Sequence, residues 1–252
     1  MISSNEIKLL KSLSQKKYRY QHNCFLVEGL RIIEELINSN YNIRKIWTTD
    51  NFLNDHPEIR ESIKDSDYSL IDEKYFDQIL NTQHPQHIMA LLPINEVDTQ
   101  FKLSNKNVLI LDEISDPGNM GSLLRSVAWY GIDSVLCSTN CVDIYNPKVV
   151  RSAMGAHFYI SNLINIDLIE IINMLKIEQY HIIGASLDGV HYKKMKVDRE
   201  PWALILGNEA HGISPELYQM MNQKISIPQR GPIESLNVAI AGSILLDRLI
   251  ND

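Results

Sequence analysis

The chain is predicted to be an α/β protein, with a small α/β region ahead of a larger domain built on a mostly parallel sheet. Three observations predict it. In the second half, the short apolar runs NVLILDEI, DSVLCST, HIIGASL, WALILGN and KISIP alternate with stretches of helical periodicity, the pattern that lays strands side by side with helices on the faces. In the first half, shorter strand-like runs are mixed with helical ones. Between them the polar segment NEVDTQFKLSNKN, residues 95–107, has little periodicity and reads as a linker. With 252 residues there is room for two modest domains, taken as 1–98 and 106–252.

Taken in order, residues 4–40 read as helices around an extended FLVEG. Ile7, Leu10 and Leu13 lie near helical spacing, and Ile32, Ile33, Leu36 and Ile37 do so more clearly. IRKIWTT, YSLID and HIMALLPI follow as short strands separated by acidic stretches. In the second half helices are expected over 119–131, 165–178, 214–222 and 237–250, the last with Val238, Ala241, Leu245 and Leu249 on one apolar stripe.

Composition narrows the class. Apolar residues make up 44% and charged residues 22%, which suits a chain with a buried core. No apolar run approaches the roughly 18 residues of a membrane span. The opening MISSNEIKLLKSL is polar and has no uninterrupted apolar stretch of the kind a secretory leader carries. Cys24, Cys137 and Cys141 cannot all pair and form no CxxC, so no disulfide or zinc framework is expected, and a cytoplasmic location is. The 24 basic against 31 acidic side chains, net −7, lack the global basic footprint of a nucleic-acid binder. Locally the balance reverses. Residues 1–31 hold Lys8, Lys11, Lys16, Lys17, Arg19 and Arg31 against Glu6 and Glu28, whereas 50–98 hold three basic and eleven acidic residues. Such a run is either a solvated helix face or a strip for a phosphate backbone, with Tyr18, Tyr20 and His22 available to stack on bases.

Three loops carry the candidate chemistry. In LDEISDPGNMGSLLRSVAWYG, Asp116-Pro117-Gly118-Asn119 is a turn signature, Asn119 is placed to cap the next helix, and Arg125 lies two turns further on. In WALILGNEAHGIS, Gly207-Asn208-Glu209 puts a carboxylate at the carboxyl edge of the sheet, the usual ligand side, with Ser214 as cap before Pro215. Gly207 and Gly212 have the spacing of a phosphate loop, but no Lys-Ser/Thr follows, and no G-x-G-x-x-G occurs anywhere. In ISIPQRGPIESLNVAIAGSILL, Ser235 and Asn237 offer a hydroxyl, an amide and free helix N–H groups. Each loop alone also reads as an ordinary strand–turn–helix junction with a cap.

Together, in order and spacing, the three loops resemble the three motifs of the SpoU (TrmH-like) RNA ribose 2′-O-methyltransferases of the SPOUT superfamily. NPKVVRSAMGAHF is similar to the segment between the first two motifs, and IKLLKSLSQKKYRYQHNCFLVEG to the small substrate-binding domain of that family. Two departures are Ala210 where the family often has Gly and Gln229 where Met is common. The resemblance implies a deep trefoil knot in the catalytic domain, S-adenosyl-L-methionine as cofactor, and a homodimer formed through the knot. It assigns the cofactor to Leu206, Gly207, Ile227, Pro228, Leu236 and Asn237, largely through backbone groups. It assigns catalysis to Asn119, Arg125, Glu209, Ser235 and Asn237, with no metal. Lys16, Lys17, Arg19 and Arg151 are the candidates for RNA contact. The extra N-terminal domain resembles the ribosomal-RNA branch, so 23S rRNA is the expected substrate. The same chemistry on tRNA and a non-catalytic RNA-binding or ribosome-assembly factor are the alternatives. A small-molecule or protein substrate is a further reading, against which the basic, aromatic N-terminal strip argues. A ribose hydroxyl must lose its proton or have its developing charge stabilised to attack a methyl group, and Arg125 is open to either role, as base or as cation.

Overall fold

A computed structural model describes residues 2–80, 82, 84–94, 106–195 and 201–251. Most of the expected linker, 95–105, lies outside the described residues. The chain groups into two compact units, one of residues 1–96 with 145–158, the other of 97–144 with 159–252.

In the first unit the chain runs α1 (Ser4–Ser12), α2 (Lys16–His22), β1 (Cys24–Glu28), α3 (Leu30–Asn38), β2 (Lys45–Thr48), α4 (Asp50–Asp55), α5 (Pro57–Ser62), β3 (Tyr68–Leu70), α6 (Glu73–Ile79) and β4 (Ile88–Pro93). The strands form a mixed sheet of order β1-β4-β2-β3, antiparallel except for β2 beside β3. α1 begins with a capping box: Ser3 Oγ accepts from the Glu6 amide at 3.2 Å, and the Ser3 amide donates to Glu6 Oε2 at 2.9 Å. Leu10, Leu13, Trp47, Phe76 and Met89 share the core against the sheet. The short helix Pro147–Ala153 packs on β1 within this same unit.

The second unit runs β5 (Val108–Leu111), α7 (Pro117–Trp129) and β6 (Ser134–Cys137). Past the helix Pro147–Ala153, here α8, it resumes with β7 (Asn162–Asn165), α9 (Leu168–Ile177), β8 (His181–His191), β9 (Trp202–Leu206), α10 (Pro215–Met220), β10 (Gln223–Ser226) and α11 (Val238–Ile250). The sheet has the order β10-β8-β9-β5-β6-β7, and every pairing in it is parallel. β5 (VLIL) and β9 (WALIL) are buried along their whole length, as central parallel strands covered on both faces must be. Their register pairs Leu111 with Leu206. The loops that follow the two strands therefore leave the sheet side by side at its carboxyl edge.

Four local expectations are corrected. β7 was not expected as a strand; its two apolar residues are flanked by Asn162 and Asn165, whose amides bond to Ser134 Oγ at 2.9 Å and the Ser138 carbonyl at 3.0 Å. The cap of α7 is Asp116, which accepts from the Asn119 amide at 2.8 Å, with Pro117 at the first helical position. Ser214 stands at the start of α10 without a side-chain cap bond, and its backbone N–H donates to the buried Asp112 at 2.8 Å. On α11 the buried face is Ala239, Gly242, Leu245, Leu246 and Leu249, while Val238 and Ala241 are half-buried.

Candidate active site

The site is assembled from the three loops of the second unit. Because Asp116 takes the capping role, the Asn119 side chain is released from the helix start. Its Nδ2 donates to Glu209 Oε1 at 2.9 Å. Asn237 caps α11 through Oδ1, accepting from Ala239 and Ile240, and its Nδ2 donates to Asn119 Oδ1 at 2.7 Å. Ser115 completes the line, its hydroxyl donating to Glu209 Oε2 at 3.4 Å. One chain of hydrogen bonds, Ser115–Glu209–Asn119–Asn237, thus ties residues that stand 90 and 118 positions apart from Asn119 in sequence.

The loop carrying Glu209 is itself held tightly. Asn208 and Gly212 exchange backbone hydrogen bonds of 2.9 Å each. Asn208 Oδ1 accepts from the amides of Ala210 and His211, and Asn208 Nδ2 donates to the Glu113 carbonyl at 2.8 Å. The left-handed residue of this loop is Gly212, φ +72°, whereas Ala210 does not have a positive φ, so alanine fits there without backbone strain. A side chain at Gly207 would stand 2.2 Å from the Gly212 carbonyl carbon, so that position requires glycine. Burial alone would push the Glu209 carboxyl up. The bonds from Asn119 and from the backbone amides of Glu209, Ser115 and Asp116 outweigh it and hold the group below its ordinary value, as a carboxylate.

In the third loop, Gln229 Nε2 donates to the carbonyls of Gly231 and Ile233 at 2.9 and 2.8 Å, folding the Pro-rich turn on itself. Methionine at this position offers no such donor. Ser235 is exposed, Leu236 is 44% exposed, Ile227 is half-buried and Pro228 exposed, while Leu206 is buried at the end of β9. The backbone N–H groups from Gly231 to Asn237, the proline aside, meet no partner among the described residues. A loop of free amides beside an exposed leucine fits a ligand held through backbone groups, as expected of S-adenosylmethionine. Arg125 is exposed on α7 and makes no hydrogen bond or ion pair with the described residues. The structure therefore joins Asn119, Glu209 and Asn237 directly and leaves Arg125 and Ser235 unengaged. Sequence reasoning missed Ser115, Asp116 and Asn208; the Asp-Pro pair at a helix start was the signal for Asp116.

Comparison with known proteins identifies this arrangement. Residues 106–247 match the SpoU rRNA Methylase family, and residues 4–90 match the MRM3-like substrate binding domain. The chain belongs to the SpoU rRNA methylase family. It is an rRNA ribose methyltransferase that uses S-adenosylmethionine. The 23S rRNA (guanosine(2553)-2′-O)-methyltransferase RlmP of Bacillus subtilis is 31% identical over 98% of this chain and 96% of its own length. The mitochondrial rRNA methyltransferase 3 of Xenopus laevis is 26% identical over 95% of this chain and 72% of its own. A TrmH-family RNA methyltransferase structure from Porphyromonas gingivalis superposes with a TM-score of 0.84 at 31% identity, covering 98% of each chain.

The first unit holds the candidate RNA contacts. Lys16 and Lys17 are exposed, with Nζ 5.9 Å from the Tyr20 ring centroid and 5.8 Å from that of Tyr18. Tyr18 and His22 stack on each other, which leaves Tyr20, 44% exposed, as the open ring. Arg19 departs from expectation: it is buried, and its Nη1 donates to the Leu13 carbonyl at 2.6 Å, closing the carboxyl end of α1. The charge run showed a row of cations without showing which one the helix turns inward. Arg151 on α8 reaches Glu28 on β1 at 3.4 Å, and Thr82 Oγ1 meets the other Glu28 oxygen at 3.4 Å. Burial pushes the Glu28 carboxyl up, opposed by Arg151 and Thr82.

Proposed function

We propose that this protein methylates a ribose 2′-hydroxyl of 23S rRNA in the cytoplasm, as a homodimer. The observation that carries the reading is the hydrogen-bond chain from Glu209 through Asn119 to Asn237, which binds all three motif loops into one polar pocket. The likeness to the Bacillus subtilis enzyme over nearly the whole of both chains supports 23S rRNA as the substrate. That relative is bacterial, which supports a cytoplasmic setting, and no described helix is long and apolar enough to cross a membrane.

S-adenosylmethionine, bound by the backbone at Leu206, Gly207, Ile227, Pro228, Leu236 and Asn237, supplies an electrophilic methyl group. The protein's task is to hold the ribose oxygen in line at roughly 3–3.5 Å and to manage its proton. Arg125, exposed and unengaged, is the group for the hydroxyl. With a pKa above about 12 it serves better as a cation stabilising the forming alkoxide than as a base. Glu209, held as a carboxylate, orients Asn119, and Asn119 orients Asn237, so the three present a fixed polar wall to the ribose. Ser235 adds a free hydroxyl beside it.

Trp129 on α7 is 83% exposed and Ile240 on α11 is 54% exposed, large apolar side chains on two packed helices that favour cover by a second copy. The trefoil threading of this domain belongs to the same proposal, as does a pocket that draws residues from both protomers. Transfer of tritiated methyl from S-adenosylmethionine to unmodified total RNA, separated into large rRNA, small rRNA and tRNA, tests the reading. Label on a ribose 2′-oxygen in the large rRNA is expected. Label in tRNA alone overturns the substrate, and binding of the cofactor without any labelled RNA or ribosomal precursor overturns the activity.

A further inference from the structure

The first unit contains a cavity that no step above uses. Leu10, Leu26, Leu80 and Val150 form apolar walls, and Glu28 and Arg151 project into it from β1 and α8. The Glu28 side chain is 13% exposed, yet its two contacts among the described residues, Arg151 Nη1 and Thr82 Oγ1, both lie at 3.4 Å. Hydrogen bonds to carboxylates are normally 2.7–2.9 Å. A carboxylate so far withdrawn from water, with neither oxygen closely bonded, has acceptor capacity to spare at a place where unmet acceptors are costly.

The pattern of groups selects a ligand. The two carboxylate oxygens and the neighbouring guanidinium present acceptor, acceptor, donor. Among the four RNA bases only guanine presents the complement along one edge, with N2–H and N1–H donating and O6 accepting. Apolar side chains on either side suit the faces of a flat ring, as unpaired RNA bases are commonly held. Exposed Lys16 and Lys17 follow directly on Ser14, which also lines the cavity, and supply cations for the phosphates that flank such a base. We infer that this cavity receives an unpaired guanine of the substrate RNA, read by Glu28 and Arg151. The inference rests on the RNA-substrate reading above but concerns binding and requires no methyl transfer.

The test is the binding of fluorescein-labelled tetraribonucleotides to the full-length protein, followed by anisotropy. UGUU is compared with UIUU, in which inosine lacks the 2-amine, and with UAUU and UCUU. UGUU is expected to bind about tenfold more tightly than UIUU, the worth of one hydrogen bond to a charged acceptor. Glu28→Gln, which turns one acceptor into a donor, is expected to erase that difference, and Leu80→Trp, which narrows the rim, to weaken UGUU to the level of UAUU. Equal binding of UGUU, UIUU and UAUU by the unaltered protein overturns the inference, even where methyl transfer to rRNA is observed. Discrimination that survives Glu28→Gln also overturns it, since guanine is then read elsewhere. If Glu28→Gln does not fold, the unaltered protein and Leu80→Trp decide. A purely structural Glu28–Arg151 pair would lower the melting temperature of Glu28→Gln and leave the UGUU to UIUU ratio near one in every variant. Failure of methyl transfer with guanine discrimination intact would refute the proposed activity and leave the cavity's assignment standing.

Discussion

Gly207→Ala is the substitution whose cost follows most directly from the structure. The added methyl would lie 2.2 Å from the Gly212 carbonyl carbon, 2.3 Å from the Ile213 nitrogen and 2.4 Å from the Gly212 oxygen. All three are backbone atoms, so no side chain can rotate away. Restoring an ordinary carbon separation of about 3.5 Å means moving the Gly212–Ile213 backbone by roughly 1 Å. That backbone is fixed by the two 2.9 Å bonds between Asn208 and Gly212 and by the Ser214 amide on Asp112 at 2.8 Å. Losing the Asn208–Gly212 pair costs about 1–3 kcal/mol, and residual overpacking adds about 1–3 kcal/mol. Since 1 kcal/mol moves Tm by about 2–4 °C in a chain of this size, the variant should melt at least about 5 °C lower. Glu209 rides on the same loop, so the affinity for S-adenosylmethionine should fall at least tenfold by titration calorimetry. A variant with Tm within about 2 °C of the unaltered protein and unchanged cofactor affinity would refute the argument.

Other outcomes follow from the same geometry. Arg125→Ala should abolish methyl transfer while cofactor binding stays intact, because Arg125 supports no described contact; loss of cofactor binding by calorimetry would reassign it. Asn237→Ala removes the cap of α11 and should cost about 1 kcal/mol in chemical denaturation, together with a large fall in kcat as Asn119 loses its 2.7 Å partner. The pH dependence has a definite sign. The folded state holds Glu209 below its ordinary value, so its contribution to stability is complete above the unfolded glutamate range and is lost as pH falls through the folded value. Melting curves across pH 3–7 should therefore show a shallower acid limb in Glu209→Gln, and parallel limbs would contradict the assignment.

Much of the catalytic architecture was legible in the sequence because it is written in uninterrupted apolar runs. VLIL and WALIL are buried on both faces, and a strand of that kind needs no partner to be recognised. β7 was not legible, because an edge strand that buries only Leu163 and Ile164 and spends its other side chains on hydrogen bonds carries no period. The three motif loops could be named from spacing and glycine, yet their joining could not, since Asn119 finds its partners only after the sheet brings distant strand ends together. Arg19 shows the converse limit. In sequence it is one cation among several, and only the turn of α2 decides that it faces the Leu13 carbonyl rather than water.

The grouping of residues 145–158 with the N-terminal unit bears on how such proteins can be rearranged. Val149, Val150, Ala153 and Ala156 are buried in that unit, with α8 on β1, although the segment lies inside the catalytic stretch of the sequence. A gene shortened to begin near residue 106 would still encode this apolar helix and would have discarded the strand that shelters it. Recombination that exchanges the substrate-binding half must therefore replace two separated stretches at once or leave a sticky face behind. The specificity element is inherited as a split cassette, and its second piece travels inside the enzyme.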